Sequence, residues 1–139
     1  MTSMSVGEAE QITELLKNAR NIAVIGLSDS PVRTSYGVSE YMQSKGYHII
    51  PVNPLIRESL GEKAYASLSE VPEKIDIVNV FRRPEHVPEI VDDAIRLKVP
   101  AVWMQEGVIH EEAANRLRQA GIFVVMDRCI LKEHQRRLR

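Results

Sequence analysis

Short apolar runs alternate with amphipathic stretches along most of the chain. Five apolar runs have the length and composition of strands that are buried on both faces of a sheet. These runs are Ile22–Ile25, Tyr47–Val52, Asp76–Val80, Ala101–Met104 and Ile122–Val125. Around them, apolar residues three or four positions apart predict helices. The predicted helices are Glu8–Asn18, about Tyr36–Lys45, Pro84–Leu97, Glu111–Ala120 and Ile130–Arg139.

This alternation predicts an α/β fold. We expect one doubly wound, mainly parallel five-stranded sheet with helices on both faces and right-handed crossovers. A single domain would cover residues 1–139, with its core over about residues 8–129 and a basic C-terminal helix over 130–139. Two features are less regular. Pro51 removes a ladder donor from the second strand, and Leu55–Glu73 is a polar excursion with a short extended piece at Ala64–Tyr65 and a helical turn near Leu68–Val71.

Size and composition are those of an ordinary soluble protein. Apolar residues make up 44% and charged residues 27% of the 139, and the formal net charge is −1, which argues against general attraction to nucleic acid or anionic membranes. No run approaches the ~18 apolar residues of a membrane span, and Met1–Gly7 lacks the features of a signal peptide. The one cysteine, Cys129, excludes an internal disulfide. We expect a cytoplasmic monomer or weak homodimer with neither nucleic-acid nor membrane partners.

The first strand, loop and helix carry the strongest chemical signal. The strand ends at Gly26, a polar loop with Ser28 and Arg33 follows, and the helical pattern begins near Ser35. Backbone N–H groups and the dipole at a helix start favour phosphate, and the guanidinium adds charge with a planar set of donors. The three-glycine dinucleotide fingerprint is absent, because the next glycine is Gly37. The segment indicates either a phosphate-bearing ligand or a plain connection with a solvated arginine.

Polar residues follow all five predicted strands. The carboxyl ends of parallel strands meet at one edge of the sheet, where ligands bind near the point at which the strand order reverses. Arginines follow three of these ends, as Arg33, Arg82–Arg83 and Arg128. In a chain with a net charge of −1, this recurrence favours a small polyanionic ligand over a set of solvated loop charges. The strand-end segments are Gly26–Arg33, Asn53–Pro54, Phe81–Arg83, Gln105–Gly107 and Asp127–Cys129.

Several common sites lack their characteristic residues. Nicotinamide dinucleotides usually need an acidic residue after the second strand, and this place holds Asn53-Pro54. No segment matches the G-x-x-x-x-G-K-[ST] phosphate loop. The histidines fall on separate elements without the spacing of a metal-ligand pair, and we expect no metal site; they are His48 in the second strand, His86, His110 and His134. The sequence therefore disfavours a dehydrogenase, a phosphate-loop kinase and a metalloprotein.

Together the motifs resemble those of the small stand-alone CoA-binding proteins. The Rossmann-like fold of that family is similar to the N-terminal CoA-binding domain of the succinyl-CoA synthetase α subunit. The resemblance extends from about Glu8 to Cys129 and into the tail. It rests on ordered blocks, which are Ile22–Ser28 with Arg33 and Tyr36–Gly37, Pro51–Pro54, Val80–Glu85, Trp103–Gly107 and Asp127–Cys129.

The resemblance implies that the chain binds coenzyme A or an acyl-CoA through particular residues. Those implied for the CoA phosphates are Gly26, Leu27, Ser28, Arg33 and Ser35. Those implied for the adenosine end are Asn53, Pro54 and Arg57, and those lining the groove are Phe81, Arg82 and Arg83. Gln105 and Gly107 would lie beside the pantetheine arm. The phosphorylated histidine of the synthetase relatives lies in a second domain that we expect this chain to lack, so the resemblance implies binding without catalysis.

Two further functions stay open. A small enzyme acting on an acyl-CoA or a nucleotide sugar would use Glu106, Asp127 or Cys129 if these residues share one cleft. An interaction module would retain the fold around a decayed nucleotide pocket. Cys129 itself has two interpretations: a small buried apolar residue, or a thiol that Arg128 favours as the thiolate and that forms a mixed disulfide with CoA.

Overall fold

The structure is a computed structural model that describes residues 6–138. Expectations about residues 1–5 and 139, including most of the segment compared with signal peptides, lie outside the described residues. The α-helices are α1 (Val6–Asn18), α2 (Thr34–Ser44), α3 (Val87–Leu97), α4 (Glu111–Gln119) and α5 (Ile130–Arg137). The strands are β1 (Asn21–Ile25), β2 (His48–Val52), β3 (Glu58–Ser59), β4 (Glu62–Lys63), β5 (Ile77–Val80), β6 (Ala101–Met104) and β7 (Phe123–Val125). Two 3₁₀ turns cover Leu68–Glu70 and Pro84–His86.

A five-stranded sheet in the order β2-β1-β5-β6-β7 lies at the centre of the fold. All of its neighbouring strands are parallel, which confirms the predicted doubly wound α/β fold. The chain places β2 on one side of β1 and then builds β5, β6 and β7 on the other. The strand order therefore reverses between β1 and β5, and the carboxyl ends of these two strands mark the expected ligand position.

Apolar side chains bury both faces of the sheet. On one face, α3 and α4 pack against strand residues such as Val78 and Val102. On the other face, α1, α2 and α5 pack against residues such as Ile77 and Trp103. Continuous apolar strands are required here because side chains pointing to either face enter a core. Among the described residues, none of the helices combines the length and apolar character needed to cross a membrane.

The edge position of β2 explains why a proline is tolerated inside a strand. Pro51 lies on the outer side of β2, where its carbonyl oxygen accepts a hydrogen bond from the Tyr65 N–H at 3.0 Å. The Asn53 N–H donates to the Tyr65 carbonyl at 2.8 Å. Since the missing donor of Pro51 points away from β1, the β1–β2 ladder loses nothing. The predicted extended piece at Ala64–Tyr65 thus protects the edge of β2.

The polar excursion after β2 contains a structure that the sequence pattern did not predict. β3 and β4 form a two-stranded antiparallel hairpin, with Glu58 opposite Lys63 and Ser59 opposite Glu62. Leu60 has a positive φ of 55° in the connecting turn. Strands of two residues are too short to show an alternating pattern, so the hydrophobic signal could not reveal them.

Helix bounds differ from the expected ones by small, explicable shifts. α2 begins at Thr34, two residues before the predicted start at Tyr36, because polar residues of its first turn carry no apolar signal. The predicted helix from Pro84 divides into a 3₁₀ turn and α3, which starts at Val87. The last helix was predicted over Ile130–Arg139 and spans Ile130–Arg137.

Candidate binding site at the carboxyl ends of the strands

A cavity of about 620 Å³ opens where β1, β2 and β5 end and α2 begins. Six residues of the predicted site line it: Gly26, Ser28, Arg33, Ser35, Asn53 and Phe81. Four further lining residues are Val32, Thr34, Leu55 and Ile56. The topology therefore brings together residues from three separate strand ends, at the position that the strand-order reversal predicts.

Gly26 allows these strand ends to meet closely. Its φ angle is +87°, and a Cβ atom on it would stand 2.3 Å from the Phe81 carbonyl oxygen and 3.0 Å from Cδ of Arg82. The Gly26 N–H donates to the Val52 carbonyl, and the Phe81 N–H donates to the Ile25 carbonyl, both at 2.9 Å. Glycine is needed here for two reasons: its backbone has a positive φ, and there is no space for a Cβ atom.

Serine hydroxyls shape the loop between β1 and α2. The Ser28 N–H donates to Oγ of the buried Ser35 at 3.0 Å, and the Ser30 N–H donates to Ser28 Oγ at 3.0 Å. From the β3–β4 hairpin, Ser59 Oγ donates to the Ser28 carbonyl at 2.8 Å. These bonds satisfy loop backbone groups and hold one loop conformation. The predicted residues Ser28 and Ser35 thus have a structural role in the cavity wall.

Asn53 joins the end of β2 to the same loop. Its Nδ2 donates to the Leu27 carbonyl at 3.0 Å, while its Oδ1 accepts from the Leu55 N–H at 3.0 Å. The second bond closes a local turn that an acidic or amide side chain forms readily. Leu27, which was predicted as a contact, is fully buried in the core and lies behind the loop.

The N-terminus of α2 faces the cavity without a cap from its own sequence. Arg33 occupies the N-cap position, and its side chain makes no capping hydrogen bond. The first turn of a helix carries N–H groups that need acceptors from outside the helix. With the positive end of the helix dipole, these groups form a site that favours an anion.

Arginines at the strand ends differ from the other described arginines in having no partner. Those without an ion pair or guanidinium hydrogen bond to a described residue are Arg33, Arg57, Arg82, Arg83 and Arg128. The others each hold an acceptor; they are Arg20, Arg96, Arg116, Arg118, Arg136 and Arg137. The unpaired guanidinium groups thus collect at the edge where an anionic ligand is expected.

Two exposed apolar side chains border the cavity and were missing from the predicted site. Val32 is 90% exposed and Leu55 is 89% exposed. Each directly follows a proline in a loop, and the sequence offers no further signal for its role. Apolar side chains left in water beside a cavity that Arg33 also lines suit a ligand that has both apolar and anionic parts.

The ends of β6 and β7 form a neighbouring region that the 620 Å³ cavity does not include. Gln105 is buried, and its Oε1 accepts a hydrogen bond from the Ile130 N–H at 3.0 Å, so it caps α5. Asp127 Oδ1 accepts from the Gly107 N–H at 2.8 Å, and Glu106 forms an exposed ion pair with Lys132 at 3.1 Å. These side chains all have structural partners.

Cys129 lies immediately before α5 and is 7% exposed. It packs in the core on the face covered by α1, α2 and α5. Burial in apolar surroundings limits the access of other molecules to a thiol. The structure thus gives Cys129 the environment of a small core residue, and the mixed disulfide with CoA stays a prediction.

The histidines lie on separate parts of the fold. His48 is the exposed first residue of β2, with Nε2 3.5 Å from a Glu73 oxygen, and His110 caps α4 by accepting from the Ala113 N–H at 3.1 Å. His134 is buried, and its Nδ1 shares a hydrogen bond of 2.9 Å with the Tyr41 hydroxyl. Within residues 6–138, no group of three or more His, Cys, Asp or Glu side chains is arranged to hold a metal ion.

The fold and the strand-end site define a Rossmann-like domain with a cavity suited to phosphate groups. Residues 20–135 match the family described as "CoA binding domain". The chain therefore belongs to the CoA binding domain family, and its family membership supports a CoA-binding role.

Similar proteins include small chains and a much larger enzyme subunit. The Bacillus subtilis (strain 168) protein YneT is 49% identical over 124 residues, which cover 89% of this chain and 92% of YneT. The solved structure of a hypothetical protein from Pyrococcus horikoshii OT3 superposes with a TM-score of 0.92 at 34% identity, covering 100% of both chains. The α subunit of acetate–CoA ligase (ADP-forming) II from Pyrococcus furiosus is 39% identical over 61 residues, 43% of this chain and 13% of that subunit.

Proposed function

We propose that this protein binds coenzyme A, free or acylated, in the strand-end cavity and holds it without catalysing a reaction. The observation that carries the proposal is the unpaired Arg33 guanidinium in the cavity at the uncapped N-terminus of α2, with further unpaired arginines after other strands of the same sheet. CoA carries a diphosphate and a separate ribose phosphate, and each requires positive charge or N–H donors. Its adenine and pantetheine portions match the exposed apolar rim.

The arrangement suggests a position for each part of the ligand. The diphosphate would lie at the first turn of α2 beside Arg33, over the Gly26 loop. The adenosine would lie against Asn53 and Pro54, with Arg57 directed to the ribose phosphate. Phe81 is half-buried and its backbone approaches Gly26, and Arg82 and Arg83 would extend the basic edge. Gln105 and Gly107 would border the pantetheine arm.

The contacts and burial of the candidate acid, base and nucleophile support binding without catalysis. Glu106 pairs with Lys132, Asp127 accepts from the Gly107 backbone, and Cys129 is buried. A general acid–base group must reach the proton that it transfers, and a nucleophile must reach the reacting atom. Asp127 and Cys129 have structural roles, and the Glu106 side chain is exposed outside the strand-end cavity; this favours a CoA carrier or sensor over the small-enzyme alternative.

Calorimetric titrations with CoA, dephospho-CoA, ATP and NAD test the proposal. We expect CoA to bind most tightly and Arg33→Ala to weaken its binding roughly tenfold or more, the usual loss for a charge-assisted hydrogen bond. Arg57→Ala should weaken CoA but leave dephospho-CoA unchanged, because dephospho-CoA lacks the ribose phosphate. Arg118→Ala removes the same charge from a remote arginine of α4 and serves as the control.

The same titrations can contradict the proposal. If ATP or NAD binds and CoA does not, the cavity takes a different nucleotide. If Arg33→Ala and Arg118→Ala bind CoA equally, the phosphate position is wrong. If a CoA thioester is hydrolysed by the wild type and not by Glu106→Gln or Asp127→Asn, the protein is an enzyme.

A further inference from the structure

A second cavity, the α2–α5 groove, lies outside the strand-end site. Its volume is about 590 Å³, and its lining residues are Tyr41, Lys45, Lys132, Gln135 and Arg136. Tyr41 and Lys45 belong to the second half of α2 and its end, and the other three lie on α5. The groove shares no lining residue with the strand-end cavity.

Among the described residues, three cations and no carboxylate line the α2–α5 groove. Lys45 forms no ion pair with a described residue; its Nζ lies 5.4 Å from the centre of the Tyr41 ring. Lys132 pairs with Glu106 outside the groove, in a contact where both side chains are more than half exposed. Such exposed pairs contribute little and exchange readily for another anion. Arg136 pairs with Glu133, but Arg137 shares that carboxylate and Lys45 has none among the described residues, so the positive charges around the groove outnumber the carboxylates that pair with them.

Buried contacts beneath the groove hold its two walls at a fixed separation. The Tyr41 hydroxyl and His134 Nδ1 share a hydrogen bond of 2.9 Å, and their rings meet edge to face with centroids 5.5 Å apart. Glu133 is 3% exposed at its side chain and receives both Arg136 at 2.9 Å and Arg137 at 3.0 Å. Arg137 also donates to the Ala9 carbonyl at 3.0 Å, which fastens α5 to α1. A ligand in the groove would thus meet walls that are already assembled.

We propose that the α2–α5 groove is a second binding site, for a small oxyanion that carries several negative charges. Two lysine ammonium groups and the Arg136 guanidinium supply the charge and the N–H donors. Phosphate and carboxylate oxygens both accept such bonds, and the planar guanidinium suits either group. The site lies beyond the proposed CoA cavity and does not depend on it.

The pKa of His134 can be used to detect an anion bound in the groove. Burial, followed by the charge of Lys45, holds the pKa of His134 below its usual range. The groups that face its ring are Tyr41 and Lys45 from α2 and Tyr47 from the start of β2, while the neighbouring Glu133 carboxylate is held by two arginines. An anion beside Lys45 would offset the lysine charge, so the pKa of His134 should rise on binding.

Binding is measured with inorganic triphosphate and with citrate, each by calorimetry and by NMR of the His134 ring signals. Ionic strength is kept constant with sodium chloride, because general charge screening would otherwise mimic a specific effect. We expect saturable binding of at least one anion together with an upward shift in the pKa of His134. Triphosphate and citrate separate a phosphate ligand from a carboxylate ligand.

Three variants locate the bound anion. Lys45→Ala combined with Lys132→Ala should weaken binding roughly tenfold, the effect of two partly screened surface cations. Lys17→Ala on α1 is the charge-matched single control and should bind as the wild type does. Arg33→Ala removes the principal cation of the strand-end cavity and should leave the anion-induced shift of the His134 signals unchanged. Circular dichroism establishes that each variant is folded.

Two results would overturn the second site. In the first, Arg33→Ala abolishes anion binding while the lysine double variant retains it, which would place the anion in the strand-end cavity. In the second, neither anion shifts the His134 signals at saturating concentration. Neither result bears on the CoA titrations, so failure of this inference and failure of the proposed function are distinguishable.

Discussion

Replacing Gly26 with alanine tests whether the meeting of the β1, β2 and β5 ends requires a residue without a side chain. The φ angle of Gly26 is +87°, and an L-residue in a left-handed conformation costs about 1–2 kcal/mol. A new Cβ would also stand 2.3 Å from the Phe81 carbonyl oxygen. That separation is shorter than any real contact of this kind, so the backbone at Phe81 must move.

The backbone displacement adds a second cost. Two hydrogen bonds hold the junction: the Gly26 N–H to the Val52 carbonyl and the Phe81 N–H to the Ile25 carbonyl, both at 2.9 Å. Weakening both would cost about 1 kcal/mol each. Added to the backbone term, this gives a loss of about 3–4 kcal/mol in the free energy of unfolding. For a chain of this size the melting temperature should fall by roughly 10 °C.

Urea denaturation followed by circular dichroism measures this loss, and Gly46→Ala is its matched control. Gly46 has a similar φ of +97°, but no described atom lies within 4 Å of a Cβ built there. The control should therefore lose only the backbone term, about 1–2 kcal/mol. If Gly26→Ala and Gly46→Ala lose the same free energy, the close approach of Phe81 has no energetic weight and the reasoning fails.

Two further predictions concern α2 and α5. Because the folded pKa of His134 is lowered by burial and by Lys45, the unfolded chain binds the proton more readily. The stabilising contribution is then complete above about pH 6.5 and is lost as the pH falls from there through the lower folded pKa. Stability curves from about pH 8 to 5 should flatten in His134→Gln relative to the wild type; a slope equal to that of the wild type would contradict this assignment. Gly37→Ala should raise the free energy of unfolding by about 0.5–1 kcal/mol, because a Cβ in this helix meets no described atom within 4 Å; a lower stability in urea denaturation would contradict the open space seen there.

The sequence pattern predicted the fold because parallel strands bury both faces. All five predicted strands occur, and their apolar runs, such as Ala101–Met104, lie within the sheet. From the sequence pattern alone Pro51 is an irregularity, because the pattern does not show which strand lies at the edge of the sheet. The β3–β4 hairpin escaped prediction because two-residue strands have no measurable period.

For the candidate site, sequence reasoning identified which residues lie at the strand ends. It did not predict what each of their side chains contacts. The rule that parallel strands end at one edge collected Gly26, Arg33, Asn53 and Phe81, which line one cavity. It could not show that Leu27 is buried behind the loop or that Gln105 caps α5. These facts depend on the direction of a single side chain, which tertiary packing decides. Val32 and Leu55 were missed because an exposed apolar residue in a loop is common on protein surfaces.

The α2–α5 groove was beyond sequence reasoning, because it joins side chains about ninety positions apart, as the Tyr41–His134 bond illustrates. α2 nevertheless connects it to the strand-end cavity: Arg33 is the N-cap of this helix and Lys45 is its C-cap, with Gly37 and Tyr41 one turn apart between them. Arg33 lines the strand-end cavity, Tyr41 and Lys45 line the groove, and Gly37 leaves the space between them open. α2 therefore has a cation at each end, Arg33 beside the strand-end cavity and Lys45 beside the groove. The same helix forms part of the wall of both cavities.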